Sequence, residues 1–253
     1  MRLNTFLLVS GLAVGTFASA SEAVVVSITS SLDNTLIQNA TGDLSNGAGS
    51  GMFVGNTHQS GDNIRRGLIA FDVASAIPAG SIITNVSLTL TANRTAGGSN
   101  TIGLFPVLAS WGQAGSDSGP FGGSGTDSRP GDATWVHRFY AGVGGTLWTN
   151  PGGDFNPVAT AARAVSGTGT YTWVSNASMV ALVQNWLNNP GQNFGWMLKS
   201  TNENLSQNAK RFATREEPNV AARPSLVIEY TIPGPGSAAV LSCGVLALTR
   251  RRR

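Results

Sequence analysis

The residues that could carry out acid–base or nucleophilic chemistry are few and widely separated in this chain. It contains two histidines, His58 and His137, and neither has a partner at the spacing of a zinc site. The nearest match to a nucleophile elbow, Gly-Gly-Ser-Gly at residues 122–125, lies in a Gly- and Ser-rich loop. Glu216 and Glu217 are adjacent and therefore point in different directions, unlike the facing carboxylates of a glycosidase. We therefore expect a protein without catalytic activity.

Aromatic and basic side chains offer a different chemistry, the recognition of sugars. Aromatic faces provide flat apolar area, and a guanidinium matches a carboxylate in a bidentate geometry. The sequence therefore predicts binding of a polysaccharide, and the basic residues would allow an acidic glycan. The predicted ligand-binding residues are Lys199, Arg211, Arg215, Arg65, Arg66, Trp135 and Trp196. The same pattern also fits core tryptophans and basic residues paired with acidic ones, with Asp72, Glu203, Glu216 and Glu217 as the candidate partners.

Oxygen-bearing side chains near the start of the domain are candidate ligands for a hard cation. Asp33 follows the first predicted strand, and Asp43 and Asn46 lie in the loop that comes next. Such oxygens are the ligands that Ca²⁺ takes, so these three residues form a candidate structural calcium site. They lack the spacing of an EF-hand and are equally typical of turns. The single cysteine, Cys243, excludes a disulfide within the chain.

Short apolar segments bounded by turn residues predict that strands position these side chains. Val86, Leu88 and Leu90 alternate with polar residues, as in a strand with one face on a core. Apolar residues from Met179 to Leu187 instead follow a helical period. The predicted strands span residues 24–30, 52–54, 67–73, 82–92, 101–108, 171–174, 194–200, 211–215 and 225–231. We expect an all-β fold, a jelly-roll β-sandwich with one short helix.

A long Gly-rich insertion interrupts this pattern between residues 109 and 170. It holds 14 glycines and no long apolar run, and a stretch of this length is usually functional or mobile. It also carries Trp111, Trp135 and Trp148, more large aromatic surface than a solvated linker has. We therefore expect parts of the insertion, including a strand within residues 134–139, to pack back on the sheets.

The net charge of +3 does not reflect the body of the chain. Arg2 and residues 250–253 carry five of the 16 positive charges, which leaves 11. Without Glu22, 12 of the 13 negative charges fall within residues 24–232, so this region has a net charge of −1. A near-neutral domain lacks the basic stripe that phosphate neutralisation requires, which argues against nucleic-acid binding.

Both ends of the chain have the composition of targeting segments. Arg2 precedes an apolar stretch at residues 6–18 and then Ala-Ser-Ala, the layout of a secretory signal peptide. Near the other end, Pro-Gly-Pro, an eleven-residue apolar run and four arginines resemble a PEP-CTERM sorting tail. That resemblance implies export to the cell surface or matrix, an exosortase-type transpeptidase as partner, and membrane contact only through the tail. The predicted organisation is a signal peptide at 1–23, one domain at 24–232 and a sorting segment at 233–253.

Several segments between residues 24 and 230 together resemble the DNRLRE domain, also described as carbohydrate-binding module family 96. One of them is Arg-Arg-Gly-Leu-Ile-Ala-Phe-Asp at residues 65–72. The others are residues 33–35, 53–55, 77–83, 131–135, 180–186, 195–203, 211–216 and 224–230. The resemblance implies a β-jelly roll on a secreted or surface protein, in a family of which some members bind alginate. We expect a non-catalytic surface or matrix protein that binds polysaccharide. A purely structural or adhesive envelope protein and an accessory to a polysaccharide-degrading enzyme are the alternatives.

Overall fold

The computed structural model describes residues 22–57 and 63–234. Most of the predicted signal peptide (residues 1–21), His58, and most of the predicted sorting segment (residues 235–253, with Cys243) lie outside the described residues. The strands are β1 (Ala23–Ile28), β2 (Leu32–Ile37), β3 (Leu44–Ser45), β4 (Gly51–Asn56), β5 (Ile64–Ala70), β6 (Ile82–Thr95), β7 (Asn100–Pro106), β8 (Thr126–Asp127), β9 (His137–Phe139), β10 (Thr146–Leu147), β11 (Ala161–Val165), β12 (Gly169–Trp173), β13 (Trp196–Ser200), β14 (Lys210–Ala213) and β15 (Ser225–Thr231). Two α-helices accompany them within this part of the chain, α1 (Val73–Ala76) and α2 (Ala177–Asn188).

Eleven of the described strands form one curled antiparallel sheet, which confirms the predicted all-β sandwich of jelly-roll type. The strand order is β1-β15-β6-β14-β4-β5-β13-β7-β11, with β12 beside β6 and β2 beside β5. Strand β4 turns the corner between the two layers, because residues 51–54 pair with β14 and Gly55 and Asn56 pair with β5. Gly55 has a φ of 111°, a backbone conformation that glycine adopts without steric cost.

The main core lies between the two layers of the sheet. The alternation predicted for β6 is confirmed, since Val86, Leu88 and Leu90 are all fully buried in this core. The predicted helix is also confirmed as α2, which buries Trp186 among other residues. Asn176 caps its start, because Asn176 Oδ1 accepts a hydrogen bond from the backbone N–H of Met179. No helix among residues 22–57 and 63–234 is long and apolar enough to cross a membrane.

The Gly-rich insertion covers the outer face of one layer, as predicted. Trp111, Trp135 and Trp148 are buried and pack with Leu68 of β5 and Met197 of β13 in a second apolar cluster. Strands β5 and β13 are therefore buried on both faces, which explains why neither alternates cleanly between apolar and polar residues. The strand expected within residues 134–139 is shorter than predicted and is limited to β9.

Strand β2 was not predicted, because its residues have the composition of a turn. Asp33, Asn34 and Thr35 lie inside β2 and are fully buried, rather than in a loop after the first strand. The insertion makes this burial tolerable, since Asn34 Nδ2 donates to the carbonyl of Ala133 at 3.2 Å. The side chain of Asn34 thus occupies a buried strand position because a carbonyl distant in sequence accepts its hydrogen bond.

Candidate functional site

The basic residues predicted to bind ligand separate into three places on the molecule. Arg211 lines one pocket, with Arg65 beneath its wall, and we call this the basic pocket. Arg66 and Lys199 lie beside a second, larger depression, the Arg66 cleft. Arg215 lies next to two acidic residues, the fully buried Asp33 and the half-buried Glu216, which we call the carboxyl pair.

Three neighbouring strands, β4, β14 and β6, form the basic pocket. The pairing register of β14 with β6 brings two arginines together. In β14, Arg211 stands opposite Phe53 of β4 on one side and opposite Arg94 of β6 on the other. The pocket has a volume of about 330 Å³. Its lining consists of Phe53, Thr57, Arg94, Thr95, Ala96, Gly123, Gln207, Ala209 and Arg211. Like charges directly opposite each other in a sheet are unfavourable, so this arrangement attracts an anion.

Arg94 faces the pocket because of a β-bulge. Ala92 pairs with Phe212 and Arg94 pairs with Arg211, so Asn93 is an extra residue in β6. The bulge reverses the alternation of β6, and Arg94 leaves the core side and becomes exposed. Strict alternation would have placed Arg94 on the face of Leu90 and Ala92, which is why the sequence did not identify it.

Arg211 is a largely buried cation whose hydrogen bonds are only partly satisfied. It is 8% exposed, and Nη2 donates to Ser50 Oγ at 2.9 Å, whereas Nε has no acceptor among the described residues. Burial lowers the pKa of the Arg211 guanidinium, nearby Glu217 opposes this shift, and Arg94 adds to it. An anion in the pocket would offset both the desolvation of Arg211 and its repulsion with Arg94.

Aromatic rings border both arginines of the basic pocket. The Cζ atom of Arg211 lies 5.9 Å from the ring centroid of Phe53, and that of Arg94 lies 4.9 Å from Phe121. Phe121 is 72% exposed and belongs to the insertion. Arg65 is almost fully buried and holds the adjoining loop, since its Nε donates to the carbonyl of Gly123 at 2.7 Å. Arg65 therefore supports the pocket wall and does not itself line the pocket.

In the Arg66 cleft the cations are already paired. Arg66 donates from Nε and Nη2 to the two carboxylate oxygens of Glu203, both at 2.8 Å. Lys199 Nζ lies 3.4 Å from Glu203 Oε2, so the ion-pair alternative considered for Lys199 is confirmed. The Arg66 guanidinium also stacks between Trp135 and Phe155, at 4.8 and 5.4 Å from the ring centroids. The cleft has a volume of about 660 Å³ but little uncompensated positive charge.

The two tryptophans predicted to bind ligand are buried. Trp196 is fully buried in the main core, where its ring contacts Trp186 with centroids 4.4 Å apart. Trp135 is also buried, and the Arg66 guanidinium lies over its ring. Neither ring has a free face for a sugar, and the other four tryptophans are buried as well. The exposed aromatic ring next to the basic pocket is instead Phe121.

The predicted calcium ligands are not assembled into one site. Asp43 Oδ1 accepts hydrogen bonds from Asn39 and Thr41 in an exposed turn. Asn46 Oδ1 accepts from Ser118, while its Nδ2 donates to a backbone carbonyl. Asp33 lies in β2 and takes part in neither network. Among the described residues there is no cluster of three or more His, Cys, Asp or Glu side chains that could hold a metal ion.

The carboxyl pair could not be recognised in the sequence, because its members are far apart along the chain. Asp33 is fully buried, and Glu216 lies in the turn after β14. Burial, followed by the negative charge of Glu216, raises the pKa of Asp33 to about 7. Arg215, a predicted ligand-binding residue, forms an ion pair with Glu216 at 2.8 Å, as its alternative interpretation expected.

Comparison with other proteins adds no assignment. A scan against protein-family models finds no match for this chain, and a search of curated proteins finds none either. The resemblance to the DNRLRE domain therefore stays a prediction from the sequence.

Proposed function

We propose that this protein is an exported, non-catalytic surface or matrix protein whose basic pocket binds a carboxylated polysaccharide. The observation that carries the proposal is the register that places Arg94 and Arg211 opposite each other beside Phe53. Two guanidinium groups can hold a carboxylate through charge-assisted hydrogen bonds, and an adjoining aromatic ring can cover the apolar face of a sugar.

The charge distribution favours the basic pocket over the Arg66 cleft for this role. In the cleft, Glu203 already occupies Arg66 and lies beside Lys199, so a glycan carboxylate would have to displace a bidentate ion pair. In the basic pocket, the negative charge of Glu217 stabilises the charged form of Arg211, and Arg94 places a second positive charge beside Arg211. The pocket volume is near the lower end of the range for small-ligand sites, which suits one sugar unit of a longer chain.

Affinity electrophoresis tests the proposal. The protein is run through gels that contain alginate, pectate, xylan or chitin, and we expect retardation by the acidic glycans alginate and pectate. Arg94→Ala should reduce this retardation without affecting the fold, because Arg94 is exposed. Arg163→Ala is the matched control, since it removes the same charge from an exposed position on β11.

The electrophoresis also separates the alternatives. Absence of retardation on every gel would favour a structural or adhesive role without glycan binding. New reducing ends or unsaturated sugars after long incubation with a glycan would show catalysis and contradict the non-catalytic assignment.

Export and sorting are tested independently of the pocket. Residues 233–253 are fused to a secreted reporter, and we expect the tail to reduce release into the medium. Equal release with and without the tail would contradict the sorting function.

A further inference from the structure

We propose that Asp33 and Glu216 bind a divalent cation, with Ca²⁺ the best fit. The pair differs from the calcium ligands predicted from the sequence, because it keeps Asp33 and replaces Asp43 and Asn46 with Glu216. The inference does not depend on glycan binding at the basic pocket.

The Asp33 carboxylate is bound by donors on one oxygen only. Its Oδ2 accepts a hydrogen bond from Ser30 Oγ at 2.9 Å and another from the backbone N–H of Arg215 at 3.0 Å. Its Oδ1 is buried and has no partner among the described residues. A fully buried carboxylate oxygen without a donor is costly, so a missing partner is expected at this position.

The Glu216 carboxylate also has donors on one oxygen only. Its Oε1 accepts from Gln113 Nε2 at 2.9 Å and pairs with Arg215 Nε at 2.8 Å. Its Oε2 is buried and, like Asp33 Oδ1, has no partner within the described part of the chain. The two carboxyl groups lie within hydrogen-bonding reach of one another. The two carboxyl groups are therefore neighbours, and each has one buried oxygen without a donor among the described residues.

Hydrogen-bond donors around the two acids oppose the effect of burial, which raises the pKa of Asp33. Each one receives two hydrogen bonds on its satisfied oxygen, and bonds of this kind favour the charged form. Two negative charges in a site of low dielectric repel each other, and the positive charge of Arg215, whose side chain is 41% exposed, offsets only one of them. A divalent cation would neutralise the remainder and occupy both free oxygens.

Oxygen-only ligands and irregular geometry suit Ca²⁺ better than transition metals. Ca²⁺ accepts carboxylates, carbonyl oxygens and waters in flexible geometry, whereas Mg²⁺ demands a near-ideal octahedron. A bound cation would fasten β2 to the turn that follows β14. The next residue, Glu217, interacts electrostatically with Arg211 of the basic pocket.

Thermal unfolding in defined metal concentrations tests this site. The purified protein is treated with EDTA, exchanged into metal-free buffer and titrated with CaCl₂ or MgCl₂ at constant ionic strength. We expect Ca²⁺ to raise the unfolding midpoint to a plateau, by about 5–10 °C when its concentration is roughly 100 times Kd. Mg²⁺ should have a smaller effect. Isothermal titration should give one Ca²⁺ per chain.

Glu216→Gln is the decisive variant, because it keeps the shape of the side chain and removes one negative charge. We expect it to lose the Ca²⁺-dependent shift, and to be at least as stable as the wild type in EDTA, since the repulsion is relieved. Asp127→Asn, at an exposed position on β8, is the matched control and should keep the full shift. A wild-type midpoint that Ca²⁺ leaves unchanged would overturn the proposal and indicate a shared proton. An equal shift in Glu216→Gln would overturn it as well.

Discussion

The ion-pair network of the Arg66 cleft provides a demanding test of the site assignment. Glu203→Gln removes the carboxylate that binds Arg66 through two hydrogen bonds of 2.8 Å and that lies 3.4 Å from Lys199. The variant keeps the side-chain volume but leaves two cations in a site where the three side chains are 12–19% exposed. Both the lost hydrogen bonds and the uncompensated charge should therefore destabilise the folded state.

The expected loss follows from these contacts. Breaking a buried ion pair by removing one partner costs about 3–5 kcal/mol. Residual solvent exposure screens the remaining charges, so we expect a loss of about 2–4 kcal/mol for Glu203→Gln. With a denaturant slope of about 2 kcal/mol/M, the urea midpoint should fall by roughly 1–2 M at an unchanged slope.

The assay is urea unfolding followed by tryptophan fluorescence. Glu229→Gln makes the same chemical change on β15 and serves as the control, with an expected shift below about 0.3 M. A shift for Glu203→Gln as small as that of the control would refute the assignment of Arg66 and Lys199 to structural pairing. The two cations would then be available to a ligand, and the Arg66 cleft would become the stronger candidate site.

Three further predictions concern the insertion, the sheet and the basic pocket. Trp148→Phe should cost about 1–3 kcal/mol in urea unfolding, because it removes the hydrogen bond from Nε1 to the buried carbonyl of Thr134. Gly195→Ala should lower the unfolding midpoint strongly, because Gly195 has a φ of 74° and an added Cβ would overlap the carbonyl oxygen of Ile69. Gly191→Ala is the control and should leave the midpoint unchanged, because the space around Gly191 is open. Raising KCl from about 50 to 200 mM should weaken binding to an acidic glycan several-fold in affinity electrophoresis, and salt-independent binding would argue against recognition by arginines.

The sequence predicted those parts of the fold that depend on local periodicity. Alternation identified β6, and the helical period from Met179 to Leu187 identified α2, because in each case one face packs on the core. Period alone did not show that Trp196 and Trp135 are buried, since β13 is covered on both faces and Trp135 lies in the covering insertion. Side-chain burial there depends on contacts between segments that are distant in sequence.

The candidate site was only partly accessible from the sequence. Arg211 was identified from its residue type, but the predicted strand ended at Ala92, before the bulge that turns Arg94 outward. Strand β2 was interpreted as a turn because Asp33 and Asn34 are rare in buried strands. The carboxyl pair arises from the pairing of β2 with β5 and the position of the turn after β14, which no local pattern encodes.

The most direct test of the central claim is isothermal titration of alginate oligosaccharides into the wild type, Arg94→Ala and Arg163→Ala. We expect saturable binding to the wild type, an affinity about tenfold lower for Arg94→Ala because a charge-assisted contact is lost, and wild-type affinity for Arg163→Ala. Equal affinity in all three proteins, or binding only to neutral oligosaccharides, would contradict recognition of a carboxylated glycan by the basic pocket.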